Sequence, residues 1–139
     1  MNKAILVMTS DNEFYIEELK SLCIACDIEV SDVVIQKLEK VNPATYIGKG
    51  KIEEIRLMLE GEMVIFDDEL SPLQVKNLTD QLQTEVTDRT DLILRIFEQR
   101  AQTKEAKLQV EIARDQYLLP RLAGMQEHMS HQQGGSGFR

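Results

Sequence analysis

No apolar run in this sequence approaches the roughly 18 residues that a membrane-spanning helix requires. The opening, MNKAILVMTSDNE, turns polar after about six apolar positions, too few for a secretory signal. These absences point to a soluble, cytoplasmic protein. Cysteine is scarce as well: Cys23 and Cys26 are the only two. A redox pair or half a zinc site could use that spacing. Both thiols, however, extend an apolar stripe with Tyr15, Leu19 and Leu22, at the C-terminal end of a predicted helix where the dipole disfavours a thiolate. The expectation is a pair of buried structural thiols.

Basic residues are outnumbered, 16 to 24, for a formal charge of −8. The imbalance is uneven. Residues 1–60 carry 7 basic and 11 acidic side chains, 61–103 carry 4 and 9, and 104–139 carry 5 and 4. An acidic body is a poor nonspecific binder of RNA, since phosphate contacts supply most of that affinity. Any such role has to rest on local basic features.

What is present is a repeating alternation of short apolar runs and amphipathic helical patterns over the first hundred residues. AILVMT (4–9) reads as a buried strand, with Ser10 and Glu13 opening a helix that ends near Cys26. IEVSDVVIQKL (28–38) is β-branched and alternating, a second strand. A linker leads to a helix from about Gly50 to Glu60, closed by Gly61 as C-cap. MVIF (63–66) is a continuous apolar run, hence a strand buried on both faces. Ser71, Pro72 and Gln74 combine an N-cap, a proline at the first helical position and a capping-box partner. TEVT (84–87) is a fourth strand, and Asp88 caps the next helix. Strands separated by 10- to 15-residue helices imply parallel pairing. The fold class is α/β, a small, mostly parallel sheet of about four strands with flanking helices.

The last third differs. From Arg89 to Met129 apolar residues recur at helical spacing, with Pro120 as a kink or restart. Leu108, Ile112, Leu119 and Leu122 form a stripe that needs a partner, and it invites self-association. A long helical segment of this kind, ending in the glycine-rich HQQGGSGFR, reads as the first arm of an incomplete helical hairpin. The domains are then 1–103, an α/β unit, and 104–139, a helical arm with a glycine-rich tip.

Candidate chemistry is sparse. YIGKGKIEE (46–54) places Gly48, Lys49, Gly50 and Lys51 at a helix start, where unpaired amides and two cations suit an anion. It is neither a Walker A loop, since Thr45 and Ile52 stand where glycine and Ser/Thr are needed, nor a dinucleotide fingerprint. Glu53 and Glu54 in the first turn would repel a polyphosphate. FDDE (66–69) lies at a strand's carboxyl end, where α/β ligands bind, but its chemistry favours the turn into the Ser71 helix. His128 and His131 lack further metal ligands apart from Glu127, which favours a solvated or RNA-facing pair. Catalytic and metal-binding residues are not expected.

YIGKGKIEEI, VIFDDELSPLQVKNL, VTDRTDLILRIFEQRAQTKEAKLQVEIA, YLLPRLAG and GGSGFR, in that order and spacing, resemble the N-terminal part of the HflX family of ribosome-associated GTPases. The resemblance runs from about Tyr46 to Arg139; the segment from Met1 to Pro43 agrees only in its α/β pattern. It implies three parts: this α/β domain, a helical hairpin whose second arm lies past Arg139, and a GTPase domain that is absent from this chain. No GTP-binding residue can be carried over, and GTP with Mg2+ is expected only of the full-length protein. The implied partner is the large ribosomal subunit and its RNA, with dissociation of stalled or idle ribosomes under stress as the function. RNA-contact candidates are then Lys49, Gly50 and Lys51 in the loop, and Gly134, Gly135, Gly137 and Arg139 in the tip. Ser136 stands where that tip often has glycine. Two other readings stay open: an independent ATP-binding α/β domain, and a protein-interaction module without RNA contact.

Overall fold

The computed structural model describes residues 2–132, with side chains through 125. Its core is a four-stranded sheet of β1 (Asn2–Met8), β2 (Ile28–Ile35), β3 (Met63–Phe66) and β4 (Val86–Asp88), in the order β2-β1-β3-β4. Every pairing is parallel. Ala4 faces Met63 and Val7 faces Phe66 across β1 and β3, and Phe66 in turn faces Asp88 on β4. The β1–β2 register shifts between Ala4 and Ile5, where Ser31 is the extra residue; its hydroxyl donates to the Ala4 carbonyl at 3.3 Å.

The helices α1 (Glu13–Ala25), α2 (Lys49–Met58), α3 (Pro72–Leu82), α4 (Arg89–Arg100) and α5 (Lys104–Gln132) arise from local chemistry. For α3 the capping box is complete: Ser71 Oγ accepts from the Gln74 amide at 3.1 Å, and the Gln74 side chain accepts from the Ser71 amide at 2.8 Å. Asp88 caps α4 by accepting from the Asp91 amide at 3.1 Å. Two expected caps differ. For α1 the cap is Asn12, whose Oδ1 accepts from the Phe14 amide at 2.9 Å, while Ser10 accepts from the Asn12 amide just upstream. α2 ends at Met58 with Leu59 as C-cap, and Gly61, at φ 105°, turns the chain into β3.

Two apolar layers sandwich the sheet. Ile5, Val7, Val64 and Phe66 meet Ile52 and Ile55 of α2 and Val75, Leu78 and Leu82 of α3 on one face. Ala4, Leu6, Met8 and Ile65 meet Ile16, Leu19 and Cys23 of α1 and Leu92 of α4 on the other. The continuous apolar character of β1 and β3 reflects this double burial. Cys23 is buried as expected, and burial with the neighbouring Cys26 pushes its thiol up to about 11. Cys26 is half-buried, and its Sγ donates to the Leu92 carbonyl at 3.6 Å. Tyr15, expected on the inward stripe, is exposed, and Ile16 takes the inner place on α1.

The helical segment breaks at 101–103, where Thr103 Oγ1 caps α5 by accepting from the Ala106 amide at 3.0 Å. Pro120 neither ends nor restarts α5, which continues through it. This helix packs on both α3 and α4, which lie on opposite faces of the sheet, and so runs along the β4 edge. Covering that edge removes an open row of backbone groups. Leu108, Ile112, Leu119 and Leu122 remain exposed, as expected of the uncovered stripe.

Candidate functional site

The loop before α2 is held tightly. Asn42 Oδ1 accepts from the amides of Ala44 and Thr45 at 2.8 and 3.1 Å, an Asx turn. Asn42 and Tyr46 exchange backbone hydrogen bonds of 3.1 and 2.8 Å. From α3, Gln74 Nε2 donates to the Asn42 carbonyl and Asn77 Nδ2 to the Ala44 carbonyl, both at 2.9 Å. Tyr46, at φ 66°, is buried; its hydroxyl donates to Asp68 at 3.1 Å and its ring meets Phe66 edge-on at 5.6 Å. Burial and the Asp68 carboxylate push this phenol up.

On this anchor α2 starts with Gly48 as an extended N-cap that offers no side-chain hydrogen bond. The amides of the first turn therefore keep their donor capacity. Lys49 and Gly50 are exposed. Lys51 is bound to Glu54 at 2.9 Å, its side chain 18% exposed, and Arg56 pairs with Glu53. The three loop candidates thus share one helix start, but only Lys49 projects a charge without an ion pair among the described residues. A Cβ at Gly48 or Gly50 would meet no atom within 4 Å, and neither has a positive φ. The fold does not require either glycine. Gly50→Ala should consequently raise stability by up to about 1 kcal/mol through helix propensity, read from the denaturant midpoint.

A second constellation joins α5 to the sheet. Asp88, fully buried at the end of β4, accepts from the Leu70 amide at 2.8 Å, the Asp91 amide at 3.1 Å and the Tyr117 hydroxyl at 2.7 Å. The Arg121 guanidinium lies 3.8 Å over the Tyr117 ring and donates to the Tyr117 carbonyl at 2.7 Å and to the Leu70 carbonyl. Its side chain is 10% exposed and lies 3.8 Å from Glu69. Burial raises the Asp88 carboxyl above its ordinary range against the pull of these donors, and burial with the Asp88 charge pushes the Tyr117 phenol up. The apolar stripe read from the sequence does not include Tyr117 or Arg121; the available signals are their place in the YLLPRLAG motif and their spacing, one turn apart beside Pro120.

FDDE does form the turn into α3, and each acid has a place. Asp67 Oδ2 accepts from the Thr9 amide and hydroxyl at 2.8 and 3.0 Å, Asp68 holds Tyr46, and Glu69 accepts from the Thr90 hydroxyl at 2.9 Å. Among the described residues no cluster of His, Cys, Asp and Glu could hold a metal ion. Gly134, Gly135, Gly137 and Arg139 lie outside the described residues, and so do the side chains of His128 and His131.

Comparison with known proteins agrees with this layout. Residues 13–98 match the family described as GTP-binding GTPase N-terminal, and residues 100–139 the GTP-binding GTPase Middle Region. GTPase HflX of Flavobacterium psychrophilum is 48% identical across 90% of this chain and 31% of its own length. GTPase HflX of Escherichia coli K12 is 38% identical across 99% of this chain and 34% of its own. The likeness therefore extends well before Tyr46, where motif spacing alone places its start. Among solved structures, the GDP complex of a GTP-binding protein from Sulfolobus solfataricus aligns at TM-score 0.68 and 27% identity, covering 96% of this chain and 42% of that one. The complex of SsGBP with GDP aligns at TM-score 0.71 and 26% identity, covering 96% and 44%. The chain spans about a third of the length of the curated relatives it matches. It belongs to the HflX family of GTPases, and its residues correspond to the N-terminal and middle regions of that family.

Proposed function

We propose that this chain is the ribosome-binding region of an HflX-like GTPase, one that binds the large ribosomal subunit and helps to dissociate stalled or idle ribosomes under stress. The carrying observation is the start of α2: an uncapped helix N-terminus beside the exposed Lys49, bearing two glycines that the fold itself does not need. Open backbone and a nearby cation suit a phosphate of RNA, and small residues allow it to approach closely. The glycine-rich tip with Arg139 is the second proposed RNA contact. Residues 104–139 act as an arm, of which α5 is tied to the sheet edge by the Asp88–Tyr117–Arg121 constellation. GTP with Mg2+ is proposed for the complete protein in its GTPase domain, two of the solved proteins it resembles being GDP complexes.

The test is sedimentation of the complete protein with large subunits. Lys49→Glu should weaken binding more than Lys51→Glu, because Lys51 is already paired with Glu54. Binding should also fall steeply with added salt. Unchanged binding after both reversals and after removal of the glycine-rich tail would sink the assignment. Alone, the chain is proposed to self-associate through Leu108, Ile112, Leu119 and Leu122.

A further inference from the structure

The connections of β1 and β3, neighbours at the centre of the sheet, leave in opposite directions. β1 feeds α1 on one face and β3 feeds α3 on the other. In open parallel sheets the crevice at such a reversal is where ligands bind. Here it is a cavity of about 380 Å³, within the size range of small-ligand sites. Thr9, Ser10 and Asp67 line it from the strand ends, Tyr15 and Glu18 from α1, and Arg89 from the start of α4. Met8 and Leu19 supply its apolar part.

The charges of the lining do not cancel. Glu18 is occupied by Arg89 at 3.0 Å. Asp67 has no cationic partner among the described residues: Thr9 takes Oδ2, and Oδ1 is buried without a hydrogen-bond partner. The charge of this half-buried carboxylate is thus uncompensated, and an ion pair formed with it is worth more here than at the open surface. Burial also holds this carboxyl above the ordinary carboxylate range, consistent with a missing counter-ion. A phosphate would meet the uncompensated carboxylate and is disfavoured. Tyr15 is 52% exposed, and Phe14, 68% exposed, packs edge-on against it at 5.5 Å. That is a large aromatic surface left in water beside one unmatched negative charge.

We propose that this cavity receives an arginine side chain from a basic polypeptide partner. Asp67 is the counter-ion, and Tyr15 is the ring on which the guanidinium stacks. A polypeptide is favoured over a free guanidinium compound because the complementary surface continues outside the cavity: the exposed Phe14 packs edge-on against Tyr15, and the exposed acid Glu13 adjoins them in the chain. The inference stands apart from the ribosome reading, since RNA binding at α2 can fail while this site is occupied.

The experiment is an NMR titration of the chain with the blocked tripeptide acetyl-Gly-Arg-Gly-amide, against the same peptide carrying neutral, isosteric citrulline. Saturable shifts are expected at the amides of Thr9, Ser10 and Asp67. Citrulline, and separately Asp67→Asn, should each weaken binding by about tenfold or more, the scale of one charge-assisted hydrogen bond. Tyr15→Ala, at a half-exposed position where folding is not at stake, should weaken it several-fold. Methylguanidinium should bind more weakly than the peptide. The proposal is overturned by shifts that do not saturate by about 10 mM peptide, by equal affinity for the citrulline peptide, or by affinity indifferent to Tyr15→Ala and Asp67→Asn. Methylguanidinium binding as tightly as the peptide overturns the polypeptide as its source.

Discussion

Asp88→Ala should destabilise the fold by about 3–5 kcal/mol, the scale of breaking a buried charged hydrogen-bond network. The carboxylate is the shared acceptor for the Leu70 amide, the Asp91 amide and the Tyr117 hydroxyl, all of them buried. Removing it strands three donors at once and removes the N-cap of α4 as well. Tyr117→Phe removes only one donor and should cost about 1–2 kcal/mol. A second readout separates the network from general packing. In Tyr117→Phe and Arg121→Met, hydrogen exchange should quicken along 104–125 while β1 and β3 keep their protection, because these residues tie α5 to the sheet edge. Exchange quickening uniformly over all elements would show that the joint is not a local one.

The same network carries a pH dependence. Burial raises the folded-state value for Asp88 above that of an unfolded aspartate, so the folded state holds the proton more tightly. Its favourable contribution is therefore fully present below the unfolded value and is lost as pH rises through the raised folded value. Asp67, raised by burial in the same way, acts in the same direction. Three carboxyls shift the other way, all at the surface: Asp11 and Glu53 are lowered by their lysine and arginine partners, and Glu62 by the Glu60 amide. In urea titrations between about pH 4 and 7, Asp67→Asn should flatten the loss of stability with rising pH. A slope identical to that of the parent chain would contradict the burial argument for that residue.

Phe66→Ala should be comparably damaging, about 3–5 kcal/mol by the usual cost of emptying an aromatic site in a packed core. Phe66 is fully buried at the carboxyl end of β3, paired across the sheet with Val7 and Asp88. Its ring also meets Tyr46, the residue that anchors the loop into α2. The cavity would thus open beneath the start of α2, and Lys49 and Gly50 should lose their fixed placement together with the core. Phe66→Leu, which keeps most of the volume, should cost clearly less. Thermal unfolding of the two variants checks this: similar midpoints for both would mean that shape at this site matters little.

The elements that local chemistry controls are legible in the sequence. β1 and β3 announce themselves as continuous apolar runs because both faces of the sheet are covered. Ser71, Pro72 and Gln74 open α3, and Asp88 opens α4, because caps act over three residues and need nothing distant. Ordered motifs identify the family over two thirds of the chain. Its reach toward the N-terminus is not legible there, since β1 and α1 carry pattern without distinctive residues. Ser10 reads wrongly as the cap of α1 because Ser10 and Asn12 are both competent caps, and only the backbone path selects between them. Tyr15 is misplaced for a related reason: a stripe that starts at residue 15 or at 16 fits the same periodicity, and the packing of Ile16 on the sheet decides.

By itself, then, the sequence determined a parallel α/β sandwich, the starts of α3 and α4, the mismatch of residues 46–54 to either nucleotide-loop pattern and an uncovered stripe from Leu108 to Leu122. These are consequences of periodicity, of caps and of glycine spacing, each read within a few residues. Only the tertiary structure decided the strand order, and with it the crevice between β1 and β3 where Asp67 lacks a counter-ion. It also decided that α5 turns back along the β4 edge, bringing Tyr117 to an aspartate 29 residues away and Arg121 to the Leu70 carbonyl. Such contacts depend on where the sheet ends and on which backbone groups remain unpaired there, and these are known only once the strands have found one another.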